Sequence, residues 1–202
     1  MNLPAATRWL IIANVLAFAV EQAGNAQLIY ALGLWTDPVA PFAVLLHAPW
    51  QLVSYSVLHA NVMHLALNMF GLWMFGSAVE QVWAASRVMA AYLASVVTGA
   101  LVNLAAAGVV GGVGGPVIGA SAGVFGLMLC FGLMFPRREV VLLFPPIPMT
   151  ARTMVAGYAA FELFFGVTRT GVGVDHFAHL GGLLGGWLVY RYGWRLSPRR
   201  RR

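Results

Sequence analysis

The chain contains no lysine, a single cysteine (Cys130) and only 6 acidic residues among 202. One cysteine excludes an intrachain disulfide and any multi-cysteine metal site. Charged residues make up 9% of the sequence, against roughly 25% in soluble domains, so a water-facing surface cannot be covered. An ordinary soluble enzyme, a disordered tail and a nucleic-acid module are excluded together. What is abundant is apolar: 60% of the residues are hydrophobic and the mean hydropathy is +0.80. The formal net charge of +6 comes from 12 arginines, with Arg191, Arg195 and Arg199 to Arg202 crowded near the end. A basic run beside apolar segments reads as a membrane-orientation signal rather than a phosphate-binding face. The lipid bilayer is the expected partner, and no nucleic acid is.

A spanning helix needs roughly 20 mostly apolar residues. Stretches 9–27, 57–79, 87–108, 117–135, 150–168 and 174–191 qualify, separated by Asp37 to Pro41, Gly111 to Pro116, Pro136-Arg137-Arg138, Pro145 to Pro148 and Gly171 to Gly173. The first stretch does not read as a signal peptide, because Asn14 and Glu21 interrupt it and no small-residue cleavage site follows. With six spans and a cytoplasmic N-terminus, every arginine except Arg169 falls on the inside. The expectation is a single all-α membrane domain over 1–202, both termini cytoplasmic, with a basic tail at 191–202. Residues 28–56 are too apolar for a free loop and too broken by proline to span. They are expected to lie in the outer interface, with Trp35 and Trp50 at headgroup level.

Polar residues inside spans are costly and mark candidate sites. His59, His64 and Asn68 occur in the second span, Ser121 in the fourth, and Asp175, His176 and His179 in the sixth. At 1.5 Å per residue from the first inner charge, Ser121 and His64 stand roughly 24 Å up, Asn68 and His179 roughly 18 Å. All four therefore share one level in the outer half. His64 and Asn68 lie about 40° apart on a helix, whereas His59 is about 140° from His64 and reads as a structural residue at the mouth of the span. Ser121, Phe125, Met128 and Gly132 share one stripe of the fourth span, and Gly119, Gly123 and Gly126 form another. In the sixth, Gly182 and Gly186 share the His179 face and allow close backbone approach.

A serine alone in hydrocarbon usually bonds its own helix. Ser121 instead follows a glycine-rich loop at a helix start, at the depth of an imidazole. A hydroxyl becomes a nucleophile when an adjacent base accepts its proton, and His179 can do so. The first-turn N–H groups at Ser121, with His64 and Asn68, can donate to an oxyanion. Asp175, four residues before His179, either orients that imidazole or is a solvated helix-start charge. The spacings do not match a zinc motif and no carboxylate is placed to help, so no metal and no cofactor are expected. Cys130 reads as a small hydrophobe, and Glu162, midway along the fifth span, has no role.

His59-xxxx-His64-xxx-Asn68, Gly119-Ala120-Ser121 and Ala178-His179-Leu180-Gly181-Gly182 with Gly186 together resemble the rhomboid intramembrane serine proteases. The resemblance runs over nearly the whole chain, including Gly76 to Glu80, Arg87 and Tyr92 to Gly99. It implies a six-span bundle and a Ser121–His179 dyad without an acid, cutting membrane-spanning segments of single-span or polytopic proteins near their outer ends. It further implies an oxyanion hole of His64, Asn68 and the Ser121 N–H, Phe125 packed on the imidazole, and Gly182 and Gly186 joining two spans. His59 and Gly119 would have supporting roles. The chain departs from the family at Trp50-Gln51, where Trp-Arg is common, and at Ala122, where glycine usually follows the serine. The alternatives are an inactive relative that binds membrane helices and a small-solute or proton transporter, for which Glu162 is the best foothold. The compact core and arginine-only basic set lead to an expected location in a prokaryotic plasma membrane.

Overall fold

The structure, a computed structural model, describes residues 3–24, 26–110, 115–141, 146–168 and 175–193. Arg169, the 171–173 glycine break and the tail beyond 193 lie outside the described residues.

Helix α1 (Ala5–Gln22) starts four residues before the expected span. Its first-turn N–H groups have no partner within the helix. Ala6 and Thr7 donate theirs to the Glu80 carboxylate at 2.7 and 2.9 Å, and Thr7 Oγ1 donates to it at 2.8 Å. A negative charge thus sits at the positive end of α1. The 28–56 connection consists of short helices: α2 (Ala26–Leu32), α3 (Val44–His47) and α4 (Gln51–Ser54), the last running into a 3-10 turn at Tyr55–Val57. Leu34 bridges Val117 and is fully buried, while Tyr30, Trp35, Leu46 and Trp50 remain exposed.

Helix α5 (Val62–Gly71), a π-turn at Leu72–Gly76 and α6 (Ser77–Glu80) form one continuous rod, followed by α7 (Ala85–Val110). Among the described residues these two rods alone combine the length and apolarity of a membrane-crossing helix. Helices α8 (Ser121–Met134), α9 (Ala151–Thr168) and α10 (His176–Tyr192) are shorter or less apolar. The second stretch becomes helical only at Val62, because the Asn61 side chain accepts from His64 N at 2.9 Å and caps α5 there. The fourth becomes helical only at Ser121, since Gly119 turns the chain at φ +124°. His59 and Gly119 therefore lie outside the helices, and neither has the helical-face relation to its neighbours that the sequence suggests. A two-stranded hairpin, β1 (Glu139–Val141) with β2 (Pro148–Thr150), fills what the sequence suggested was only a break. Three residues per strand are too few for a period-2 pattern to show.

Helix α8 is buried on nearly every side, as a central helix must be. Helix α10 meets two neighbours through two glycine pairs. A Cβ at Gly181 would lie 2.5 Å from the Thr98 carbonyl oxygen, and one at Gly185 would lie 2.5 Å from Ser95 Cα, so this pair faces α7. Gly182 and Gly186 face the Ala122 and Gly126 carbonyls of α8. Two offset small-xxx-small rows thus let one helix touch two others at backbone distance.

The ends of the rods sort by charge. Arg87, beginning α7, donates to the Tyr190 carbonyl at 3.1 Å, placing a cation at the negative end of α10. Its guanidinium covers the Trp83 ring at 3.9 Å. Ala151 N donates to the Arg138 carbonyl at 2.8 Å, joining the start of α9 to the end of α8. Trp83, Arg87, Phe135, Tyr190 and Arg191 line one shared hollow. The arginine-bearing ends therefore gather at one end of the bundle, and Ser121 begins α8 at the other.

Candidate active site

At that opposite end a cavity of about 570 Å³ opens between α5, α8, α9 and α10. Its polar lining includes His64, Asn68, Ser121, Glu162, Asp175 and His179, and its remaining wall is mostly apolar. His179 Nε2 and Ser121 Oγ stand 2.8 Å apart, at hydrogen-bond distance. The imidazole lies flat on Phe125, with ring centroids 4.3 Å apart and planes 6° from parallel. Tyr158 meets the Phe125 ring edge-on at 6.0 Å. Stacking on one face and glycine contact behind α10 leave the His179 ring little freedom.

The donor side is assembled around Gly119. A Cβ at this position would lie 2.7 Å from His64 Nε2 and 3.7 Å from Ser121 Oγ, so the missing side chain leaves the space between them open. Ala60 N donates to His64 Nδ1 at 3.4 Å. An accepting Nδ1 leaves the ring proton of neutral His64 on Nε2, a donor. Asn68 Nδ2 gives one hydrogen to the His64 carbonyl at 3.0 Å and keeps a second. Ser121 is the first residue of α8, where helix N–H groups point outward without an internal acceptor. His64, Asn68 and Ser121 all line the one cavity. The Ala122 methyl packs toward Gly99 and away from this space.

His59 is buried, and its ring meets His64 edge-on at 5.1 Å. Its backbone N–H donates to the Glu21 carboxylate at 3.2 Å, tying the loop to α1. Gln51 stands where the resemblance implies an arginine. Its Oε1 accepts from Trp35 N at 3.2 Å and its Nε2 donates to the Ala31 carbonyl at 3.3 Å. Trp50 Nε1 donates to the same carbonyl at 3.0 Å. An uncharged amide therefore anchors the 28–56 connection. Tyr55 closes the cavity floor, its hydroxyl donating to the Val96 carbonyl at 2.8 Å and its carbonyl accepting from Gly119 N at 3.0 Å.

One carboxylate stands at this site that the sequence alone does not bring there. Glu162 Oε2 lies 2.5 Å from His176 Nδ1, and Glu162 Oε1 lies 3.0 Å from His179 Nδ1, off the line of an ideal hydrogen bond. The expectation that no carboxylate is placed to join the histidines in a metal-ligand set is therefore corrected. The dyad lacking an acid, which the resemblance implies, has an acid against it here. Asp175 does not fill that place: it precedes α10, and its Oδ1 is buried without a hydrogen-bond partner. Glu162 sits in another helix, so no local spacing links it to His179. Its isolated position midway along an apolar stretch was the available signal.

Glu162, His176 and His179 are also three metal-ligating side chains within reach of one another. Ligands bound to zinc at about 2.0–2.1 Å stand roughly 3.3 Å apart in a tetrahedron. The 2.5 and 3.0 Å separations are shorter than that spacing; the first is of hydrogen-bond length and the second lies off line.

A family model described as the Rhomboid domain matches residues 46–197. The chain belongs to the rhomboid family. It is 32% identical over 152 residues to Rhomboid protein 1, mitochondrial, of Saccharomyces cerevisiae, covering 73% of this chain and 42% of the yeast protein. Rhomboid protease GluP of Bacillus subtilis is 30% identical over 144 residues, 69% of this chain and 25% of that protein. Presenilin-associated rhomboid-like protein, mitochondrial, of Homo sapiens is 28% identical over 188 residues, 93% of this chain and 48% of its own. The chain thus spans less than half the length of these relatives. As a rhomboid it is a membrane protein, mostly helical. Relatives named mitochondrial stand beside a bacterial one, so the expected prokaryotic plasma membrane is not supported.

Proposed function

We propose that this rhomboid is an intramembrane serine endopeptidase acting through Ser121 and His179. Residues 1–202 form one domain of six spans, with its arginine-rich end and both termini on the cytoplasmic side. Its substrates are membrane-spanning segments of single-span or polytopic proteins, cut near the outer face without metal or cofactor. The observation that carries this reading is the 2.8 Å contact between Ser121 Oγ and His179 Nε2, made across two helices inside the 570 Å³ cavity. The family membership and the protease among the named relatives favour it further.

The chemistry follows from the atoms present. Ser121 Oγ attacks a substrate carbonyl carbon while its proton passes to His179 Nε2, forming the C–O bond. The resulting oxyanion is met by the Ser121 N–H, His64 Nε2–H and the second Asn68 Nδ2–H. Collapse breaks the C–N bond, and the departing amine takes the proton from His179. Water then attacks the acyl-enzyme, giving a proton to His179, and the released Ser121 oxygen recovers it. The apolar wall between α5 and α9, with Leu67, Phe70, Met74 and Tyr158, suits an unwound apolar segment.

The test is cleavage of a model single-span substrate by the reconstituted chain. Ser121→Ala and His179→Ala each abolish cleavage while leaving the thermal transition in place. Cleavage surviving in either variant, or a fluorophosphonate labelling a residue other than Ser121, refutes the dyad.

A further inference from the structure

Glu162 is buried in α9, and both of its oxygens are engaged by histidines of α10. His176 is packed between aromatic rings, stacked with Phe165 at 5.8 Å and met by Phe161 at 6.4 Å. Its Nε2 is buried without a partner, so the proton of neutral His176 belongs on Nδ1, which faces Glu162. His176 thus grips one oxygen of the carboxylate and leaves the other for His179. His179 has its own constraint. To receive a proton from Ser121 at Nε2, the neutral ring must carry its hydrogen on Nδ1, the nitrogen 3.0 Å from Glu162 Oε1.

We propose that Glu162 is a positioning residue of this site. Held on its far side by His176, its carboxylate fixes the His179 tautomer and orientation that leave Nε2 free toward Ser121, and steadies the imidazolium formed in acyl transfer. This inference rests on the Ser121–His179 reading. Glu162 touches no reacting atom; it acts through His179. The off-line 3.0 Å contact is the form such pairs take before substrate binds, and it aligns as the ring gains charge. A second consequence concerns helix choice: the acid comes from α9, so α9 is coupled to the nucleophile although it carries neither reacting group.

The experiment uses the full chain in lipid vesicles with a single-span substrate. In Glu162→Leu, kcat falls about 10²–10³-fold, less than the roughly 10⁴-fold loss of a fully aligned triad acid because the contact here is off line, with KM little changed. Glu162→Gln offers one acceptor oxygen to two Nδ1–H donors and turns its amide N–H toward the other ring, so it loses the charge and admits the wrong His179 tautomer; its kcat falls about 10²-fold or more. His176→Leu frees the carboxylate to swing and lowers kcat by about 10-fold. The decisive readout is the nitrogen resonance pattern of 15N-histidine-labelled protein. In the parent chain it reports Nδ1–H for His179; in Glu162→Leu and Glu162→Gln the Nε2–H form joins it. A packing role alone would lower the unfolding temperature and leave the tautomer untouched. Parent-level kcat in Glu162→Gln, or an unchanged His179 tautomer in Glu162→Leu, overturns the proposal. Should the Leu variant fail to fold, the kcat of Glu162→Gln decides. Ser121→Ala in the same assay separates the two failures: if it cleaves, the dyad is wrong; if it is inert while the Glu162 variants stay fully active, only the role of Glu162 is wrong.

Discussion

Gly182→Ala is the sharpest probe of how this site is held together. A Cβ there would lie 2.8 Å from the Ala122 carbonyl carbon and 2.9 Å from its Cα, and closer still to its oxygen. These are backbone atoms one residue after Ser121, so no side chain can swing aside. Relief requires α10 to back away from α8 by roughly 0.5–1 Å, at an overpacking cost of about 1–3 kcal/mol. The same movement carries His179 off Ser121. The 2.8 Å contact opens past hydrogen-bond range. A misplacement on the order of 1 Å costs about 10²-fold in rate. Cleavage of the reconstituted substrate should therefore fall about 10²-fold, with a measurable drop in the thermal unfolding temperature. Gly157→Ala is the control: this exposed α9 glycine has nothing within 4 Å of an added Cβ. Replacing a mid-helix glycine there should stabilise by about 0.5–1 kcal/mol and leave cleavage intact. Near-parent activity in Gly182→Ala would show that the α8–α10 contact does not set the distance between nucleophile and base.

Phe125→Ala removes the ring stacked on His179 and leaves the imidazole free to tilt; kcat should fall about 10-fold or more, with stability lower by about 2–3 kcal/mol. Unchanged kcat would mean that the glycine contacts alone hold the ring. Gln51→Ala strands Trp35 N and removes a tie to the Ala31 carbonyl, at about 1–3 kcal/mol. Limited proteolysis within 28–50 should accelerate in that variant, while fluorophosphonate labelling of Ser121 persists; unaltered proteolysis would assign the anchoring to Trp50.

The residues that answer to composition and period were legible in the chain itself. Apolar length, arginine placement and rise per residue put Ser121, His64, Asn68 and His179 at one depth, because a helix converts sequence distance into height by a fixed factor. Membrane residence followed in the same way, since so few charges cannot cover a wetted surface. Boundaries were less legible. Asn61 as a cap and Gly119 at positive φ end regular structure through single-residue effects inside apolar runs, so His59 and Gly119 were put on helices they do not occupy. The 139–150 hairpin escaped because its strands are too short to show a period.

Height along a helix says nothing about which helices are neighbours or how each is rotated. That was left to packing. The two glycine rows of α10 choose α7 and α8 as its partners, and that choice presses His179 onto Ser121 and Phe125. The same rotation turns the other edge of the imidazole toward α9, where Glu162 waits 3.0 Å away. A carboxylate and a histidine on separate rods share no spacing, so only the folded bundle could bring them into contact.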